Sequence, residues 1–346
     1  MSGVQKIRIA DTEADQRLDR WLRRRFPQLS QGRIEKLCRK GEIRVDGGRV
    51  KASSRVEPGQ EVRVPPLPDS AAPRKRSAPR ISDTDAEMIR SAVLYQDEHL
   101  IVLNKPAGLA VQGGSGQTRH VDGLAEALKS GNEEKPRLVH RLDRDTSGIL
   151  LLARTQRMAS ELTKAFRSRQ TRKVYWAAVA GYPQPSMGTI RFGLVKAPGH
   201  GATGGGERMN CIHPRAIDST PGAKRATTDY ALLSSLARRA SWMALVPVTG
   251  RTHQLRAHMA EIGHPIIGDG KYGGSGQENL GDGWGAQLGE EISRKLHLHA
   301  RSLHLVHPAT GKEMTFIAPL PPHMKQTWEM VGWDKVDVPD DPFELA

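Results

Sequence analysis

The tightest constraint on this chain is an apolar run, Ile149-Leu150-Leu151-Leu152-Ala153, that follows directly on a charged turn. Four to eight apolar residues bounded by turn signals read as a buried strand. The turn before it is Leu138-Val139-His140-Arg141-Leu142-Asp143-Arg144-Asp145-Thr146-Ser147-Gly148, which sets Asp143 between two arginines. A polar turn pinned against a buried strand is held rigidly, as a catalytic group requires. The competing reading is a solvated Arg–Asp pair, since surface pairs are common and weak.

Charge narrows the partner. The 346 residues carry 52 Lys and Arg against 38 Asp and Glu, a formal net charge of +14. That balance favours a polyanion, with nucleic acid the usual one and an anionic membrane surface the rival. No stretch approaches the roughly 18 apolar residues of a membrane span. Residues 1–15 lack the apolar core of a signal peptide, so a cytoplasmic location is expected. Cys38 and Cys211 form no CxxC and cannot make a zinc site alone, which fits a reducing compartment.

Residues 1–65 hold 16 Lys and Arg against 9 Asp and Glu, a surplus of +7 and half of the whole chain's +14. Leu18, Trp21, Leu22 and Phe26 recur at helical spacing. Ser30 is a plausible N-cap for a second helix that buries Ile34 and Leu37 and ends at Gly41. Arg33, Lys36 and Lys40 form one stripe on its other side. Short strands at 43–45 and 62–64 and a Gly47-Gly48 hairpin turn complete a small unit with one basic face. Such a face suits an RNA backbone. Residues 66–86, rich in Pro, Ala and Ser and carrying Arg74-Lys75-Arg76, read as a linker.

A larger unit is expected over 87–330, with a tail at 331–346 that includes Asp337, Asp340 and Asp341. Strands are expected at 93–95 and 100–103, and Asn104-Lys105-Pro106-Ala107-Gly108 breaks the second. Gly113-Gly114-Ser115-Gly116 lacks the G-K-[ST] ending of a phosphate loop, so no nucleoside triphosphate site is read. Met158, Leu162, Ala165 and Phe166 mark one helix face, with Lys164, Arg167 and Arg169 outward. Residues 172–181 alternate as a strand and make Tyr175 a wall residue. The Gly-rich stretches 197–224 and 274–291 read as loops, the first as a mobile insertion. Leu255, Met259 and Ile262 form a helical stripe, with Arg251, His253 and Arg256 off it. His253 and His258 are five apart, so a zincin-type metal site fails. The alternation of 296–305 places its histidines on an exposed strand face.

Several words carry a resemblance to a known family. H-R-L-D-R-D-T-S-G at 140–148 resembles the signature of the RluA-type pseudouridine synthases. V-L-N-K-P-A-G, K-V-Y-W-A-A-V-A-G and T-G-R-T-H-Q-L-R-A-H-M are similar to the family's other blocks, in the family's order. R-L-D-R-W-L, R-K-G-E-I-R-V-D and P-G-Q-E-V-R-V look like an S4 RNA-binding domain. The resemblance implies an α+β protein: a small S4-like domain plus a catalytic domain with a mixed, largely antiparallel sheet and a central cleft.

It further implies that Asp143 is the catalytic aspartate, that Tyr175 stacks on the uracil and can assist removal of the C5 proton, and that Arg141 fills the gap left by the extruded uridine. Arg256 is the expected partner of Asp143, with Arg251 second choice. Arg33, Lys36, Lys40, Arg251 and Lys105 are expected to meet RNA. Pseudouridine formation breaks the bond from uracil N1 to ribose C1′ and joins C5 to the same carbon. It needs no cofactor and no metal. Attack by Asp143 on C1′ and removal of a ribose proton both remain open. A two-carboxylate glycosidase is disfavoured, because Asp143 and Asp145 point oppositely in extended chain. Asp145 is better read as a turn partner of Arg144. Within the family the words look most like the RluC branch, with an RluD-like branch the alternative. The expected partner is 23S ribosomal RNA or an assembling large ribosomal subunit, met by a monomer away from membranes. A non-catalytic RNA-binding assembly factor is the competing class.

Overall fold

In a computed structural model the chain divides into two units, Met1–Arg80 and Ile81–Ala346. The residues described are 3–13, 16–67, 81–113, 119–129, 134–167, 171–198, 207–273, 292–333 and 342–343. Arg74-Lys75-Arg76, Gly114 to Gly116, Arg169, the loop 274–291 and the tail acids Asp337, Asp340 and Asp341 lie outside them.

The first unit runs β1 (Gln5–Arg8), β2 (Gln16–Arg17), α1 (Leu18–Arg25), α2 (Gln31–Lys40), β3 (Arg44–Val45), β4 (Gly48–Arg49), β5 (Arg55–Val56) and β6 (Glu61–Val64). The Ser30 hydroxyl accepts the Arg33 N–H at 3.3 Å and caps α2. Gly41 ends that helix in the left-handed conformation, φ 72°, that glycine adopts freely. Leu18, Trp21 and Leu22 of α1 pack with Ile34 and Leu37 of α2 against Val56, Val62 and Val64. Each such buried side chain contributes about 1.5–3 kcal/mol. Arg33, Lys36 and Lys40 stay exposed on the opposite side of α2. The β3–β4 turn falls at Asp46-Gly47, both at positive φ, one residue earlier than the Gly-Gly pair suggests. Gly48 is already in the ladder, opposite Val45.

The second unit begins with α3 (Asp83–Ser91), β7 (Val93–Gln96), β8 (Leu100–Lys105), α4 (Val121–Leu124) and β9 (Arg137–Leu138). It continues with β10 (Ser147–Ala153), α5 (Gln156–Arg167), β11 (Arg172–Ala180), β12 (Met187–Lys196), β13 (Met209–Ile212), β14 (Lys224–Leu236) and β15 (Ala240–Pro247). α6 (Gln254–Glu261), β16 (Leu298–Val306), β17 (Glu313–Ile317) and α7 (Pro322–Met330) complete it. The described strands form one sheet in the order β13-β12-β14-β15-β11-β16-β10-β8-β7, with β17 on β16 and β9 on β10. Only the β10–β16 pairing is parallel, so the sheet is mixed and largely antiparallel.

Every residue of β10 is buried, as its apolar run requires. Where it meets β16 the backbones approach so closely that a Cβ on Gly148 would lie 2.3 Å from the Ala300 carbonyl oxygen. Gly148 also sits at φ 104°, so glycine is demanded twice over.

Four expectations are corrected here. The linker reading of 66–86 extends too far, because α3 starts at Asp83 behind a Ser82 cap. The insertion over 197–224 is partly built structure: β13 pairs with β12, and a short helix spans Pro214–Ala216. Trp333 and Phe343 of the expected tail pack on the cluster of Trp176, Trp242 and Trp328. His297 and His299 are buried, and no longer on an exposed strand face. Helix α7 covers His297, whose Nε2 pairs with Thr327 Oγ1 at 2.8 Å, while His299 Nδ1 pairs with Ser147 Oγ at 2.9 Å. Strand alternation cannot show that a second layer covers the polar face. Burial pushes their pKa values down to about 4 for His297 and about 3 for His299, so both stay neutral.

Candidate active site

Asp143 lies in the loop between β9 and β10, and that loop is fastened on both sides. Lys105, at the end of β8, is fully buried and donates to the carbonyls of Pro106 at 2.9 Å, Leu109 at 2.8 Å and Arg144 at 2.9 Å. The Gly108 N–H donates to the same Arg144 oxygen at 2.9 Å. Lys105 is therefore a tie inside the protein, and its expected contact with RNA phosphate is corrected. All three of its hydrogens are taken within the fold. Burial brings its pKa down to about 7, against the pull of Asp145 and Asp143. On the other side, His140 Nε2 accepts the Leu151 N–H at 2.9 Å, and its ring stacks on Phe166 at 4.6 Å between centroids. Burial, reinforced by Lys173, holds His140 neutral with a pKa of about 3, as an acceptor must be. Asp145 pairs outward with Arg144 at 3.0 Å, an exposed contact.

A cleft of about 840 Å³ opens over this loop, and Asp143, Arg141, Tyr175, Arg251, His253 and Arg256 all line it. Tyr175 reaches it from β11, half-buried. Burial, and then the charge of Asp143, raise its pKa above the ordinary phenolic value, so the hydroxyl is protonated. Arg256 reaches it from α6, with Nη1 3.5 Å from Asp143 Oδ2. Its Nε and Nη2 donate to Asp269 Oδ2 and Oδ1, each at 2.7 Å. This fork-to-carboxylate pair is short and bidentate, and shielded from water, with 7% and 0% of the two side chains exposed. Burial works against the guanidinium charge, but the Asp269 hydrogen bonds and the two carboxylates outweigh it and raise the pKa of Arg256.

The start of α6 is locked by a buried glutamine. Gln254 donates to Thr227 O at 2.8 Å and Thr228 Oγ1 at 3.0 Å, and accepts from Thr249 at 2.7 Å. His253, just before the helix, sits at φ 53°. Its Nε2 is 3.8 Å from Asp143 Oδ2, and its Nδ1 is 3.0 Å from the Tyr272 hydroxyl. His258 turns away to Thr228, at 3.0 Å.

The structure thus brings Asp143, Tyr175, Arg256, Arg141 and Arg251 to one cleft. Arg251, the second choice for pairing with Asp143, is exposed and donates instead to Arg225 O at 3.3 Å. Arg33, Lys36 and Lys40 belong to the first unit. Sequence reasoning missed Asp269 and Tyr272, and gave His253 no role beside Asp143. A usable signal existed in Gly268-Asp269-Gly270, an acid between two glycines. Gly268 has φ 74°, and a Cβ there would lie 2.0 Å from the Lys295 carbonyl oxygen.

The sequence profile of the S4 domain matches residues 16–62, and that of RNA pseudouridylate synthase matches 99–261. The second span contains Asp143, Tyr175 and Arg256. The ribosomal large subunit pseudouridine synthase C of Vibrio cholerae serotype O1 is 36% identical over 325 residues, 93% of this chain and 95% of that one. The chain belongs to the RluA-type pseudouridine synthase family, with an S4 domain. It is an RNA pseudouridine synthase, an isomerase. The synthase of the same name from Escherichia coli K12 is 34% identical over 326 residues, 94% of this chain and 95% of that one. The solved structure of human RNA pseudouridylate synthase domain containing 4 superposes with a TM-score of 0.55 at 31% identity, covering 71% of this chain and 95% of that one. Among the described residues of this synthase, no helix is long and apolar enough to cross a membrane.

Proposed function

We propose that this synthase converts specific uridines of 23S ribosomal RNA to pseudouridine, with Asp143 as the reacting carboxylate. The observation that carries the reading is the placement of Asp143 in the cleft lining, facing a guanidinium that Asp269 also holds. A carboxylate so placed can serve as a nucleophile. Attack on C1′ forms an ester to Asp143 as the N1 bond breaks; removal of a ribose proton breaks the same bond and leaves a glycal. The base turns and C5 bonds to C1′, which frees the Asp143 carboxylate on the first route and is accompanied by return of the ribose proton on the second. The C5 proton then leaves and N1 takes one up, so atoms balance without an outside reagent. Tyr175 offers a stacking face; its protonated hydroxyl favours that role over proton abstraction.

The target base must leave its stack at a cost of a few kcal/mol. Arg141, exposed at the cleft, can stack and hydrogen-bond in the vacated place. Arg251 at the cleft and Arg33, Lys36 and Lys40 on α2 supply phosphate contacts. The 23S target follows the relatives, named ribosomal large subunit pseudouridine synthases and similar over more than nine-tenths of this chain. The synthase acts as a cytoplasmic monomer on the RNA or the assembling large subunit.

Primer extension after carbodiimide treatment of 23S rRNA tests this, using cells that lack the gene. Specific stops should vanish in those cells and return with the wild-type gene, but not with Asp143→Ala. Unchanged stops in the deletion strain would refute the 23S target. Their return with Asp143→Ala would refute the role of Asp143.

A further inference from the structure

Two side chains that face Asp143, Arg256 and His253, are themselves held by one short turn. Asp269 grips Arg256, and Tyr272, three residues on, contacts His253. The turn is tied to itself: the Lys271 and Tyr272 N–H groups donate to Asp269 Oδ1 at 3.0 and 3.2 Å. Arg256 and His253 address the same atom, Asp143 Oδ2, at 3.5 and 3.8 Å.

We infer that Tyr272 is a positioning residue that holds His253 as its Nε2–H tautomer, so that two donors fix Asp143 Oδ2 and leave Oδ1 as the oxygen that reacts. The inference rests on Asp143 being the reacting carboxylate. Two independent arguments set the tautomer. First, the Tyr272 oxygen already accepts the Met209 N–H at 2.8 Å. Among the described residues, the remaining partner for its own hydrogen is His253 Nδ1. With the hydroxyl donating, Nδ1 is the acceptor and the ring hydrogen sits on Nε2. Second, Nε2 faces a carboxylate oxygen. A lone pair there would be repelled, whereas an N–H is attracted.

The ring is neutral rather than doubly protonated. Burial lowers the His253 pKa most, Asp143 and Asp269 oppose this, and Arg256 and Lys271 add to it. Burial raises the pKa of Tyr272, so its hydroxyl keeps the hydrogen it must donate. The left-handed backbone at His253 is the kind of strain that persists where surrounding contacts over-determine a functional geometry. The 3.8 Å gap to Asp143 can close when substrate excludes water, since catalytic contacts often tighten in the complex.

Nitrogen-detected NMR of the full-length protein, labelled at histidine ¹⁵N, reads the tautomer directly. The signals missing from His253→Gln identify the residue. The expected result is an Nε2–H signature in wild type that is lost or mixed in Tyr272→Phe. The same Tyr272→Phe change should lower kcat on 23S rRNA about tenfold with KM unmoved. His253→Gln, whose amide nitrogen falls where Nε2 sits, should retain more activity than His253→Asn, whose amide falls at Nδ1. An Nδ1–H tautomer in wild type would overturn the inference. So would a wild-type kcat in Tyr272→Phe with the Gln and Asn variants equal. The tautomer is read without turnover. Its failure is thus distinct from that of the Asp143 reading, which fails if Asp143→Ala still isomerises uridine.

Discussion

Arg256 gives one nitrogen to Asp143 and two to Asp269, and the second contact is the stronger. Replacing it with methionine leaves the Asp269 side chain, 0% exposed, without its counter-charge. Breaking a buried pair from one side typically costs about 3–5 kcal/mol. Arg256→Met should therefore lower the unfolding midpoint in urea as well as activity, whereas Arg251→Met should leave that midpoint within error. At this scale the sequence was legible where a family word pointed to a residue type: Asp143, Tyr175 and Arg256 all face one cleft. Asp269 was not legible. It sits thirteen places after Arg256 in a Gly-flanked turn, and no periodicity links a turn acid to a helix arginine. Lys105 misled for the opposite reason. A lysine in the strand-ending N-K-P-A-G word reads as a phosphate contact, yet here three backbone carbonyls take its hydrogens.

The element that matters most is β10, and its apolar run declared it plainly. The sequence could not show its neighbours, nor that β16 would run parallel to it. Gly148→Ala puts a Cβ 2.3 Å from the Ala300 oxygen at φ 104°. It should destabilise the synthase by at least about 2 kcal/mol and lower kcat by displacing the Asp143 loop, as thermal melts and turnover would show. Lys105 joins β8 to that loop, and its folded pKa of about 7 lies below the ordinary 10.5. Between those values the unfolded chain binds more protons than the folded one, so stability rises with pH across this window. Below pH 7 the full cost of burying the charge is present. Urea unfolding from pH 7 to 10.5 should show that rise, and Lys105→Met should flatten it. A steeper slope in the variant would contradict the assignment. His297 and His299 show why strand alternation fell short: it assigns faces but not what covers them, and α7 arrives from far along the chain.

The whole molecule divides its charge unevenly, with half of the net +14 in residues 1–65. Removing residues 1–70 should weaken 23S rRNA binding and selectivity more than chemistry on a short substrate, because α2 carries exposed Arg33, Lys36 and Lys40. Binding by the full chain should fall steeply with salt as phosphate contacts release counterions. A flat response in filter binding would contradict an electrostatic RNA interface. The two-unit plan was legible from composition, but its boundary was not, since Ser82 and Asp83 start a helix inside a stretch that reads as linker. The central claim is that Asp143 is the reacting carboxylate of a cleft lined by the β9–β10 loop, β11 and α6. Tritium release from [5-³H]uridine-labelled 23S rRNA reports loss of the C5 hydrogen, and so the completed isomerisation that requires this carboxylate. Wild-type protein should release label, and Asp143→Ala should release none above background while keeping its affinity for the RNA; release by Asp143→Ala at a rate near wild type would contradict it.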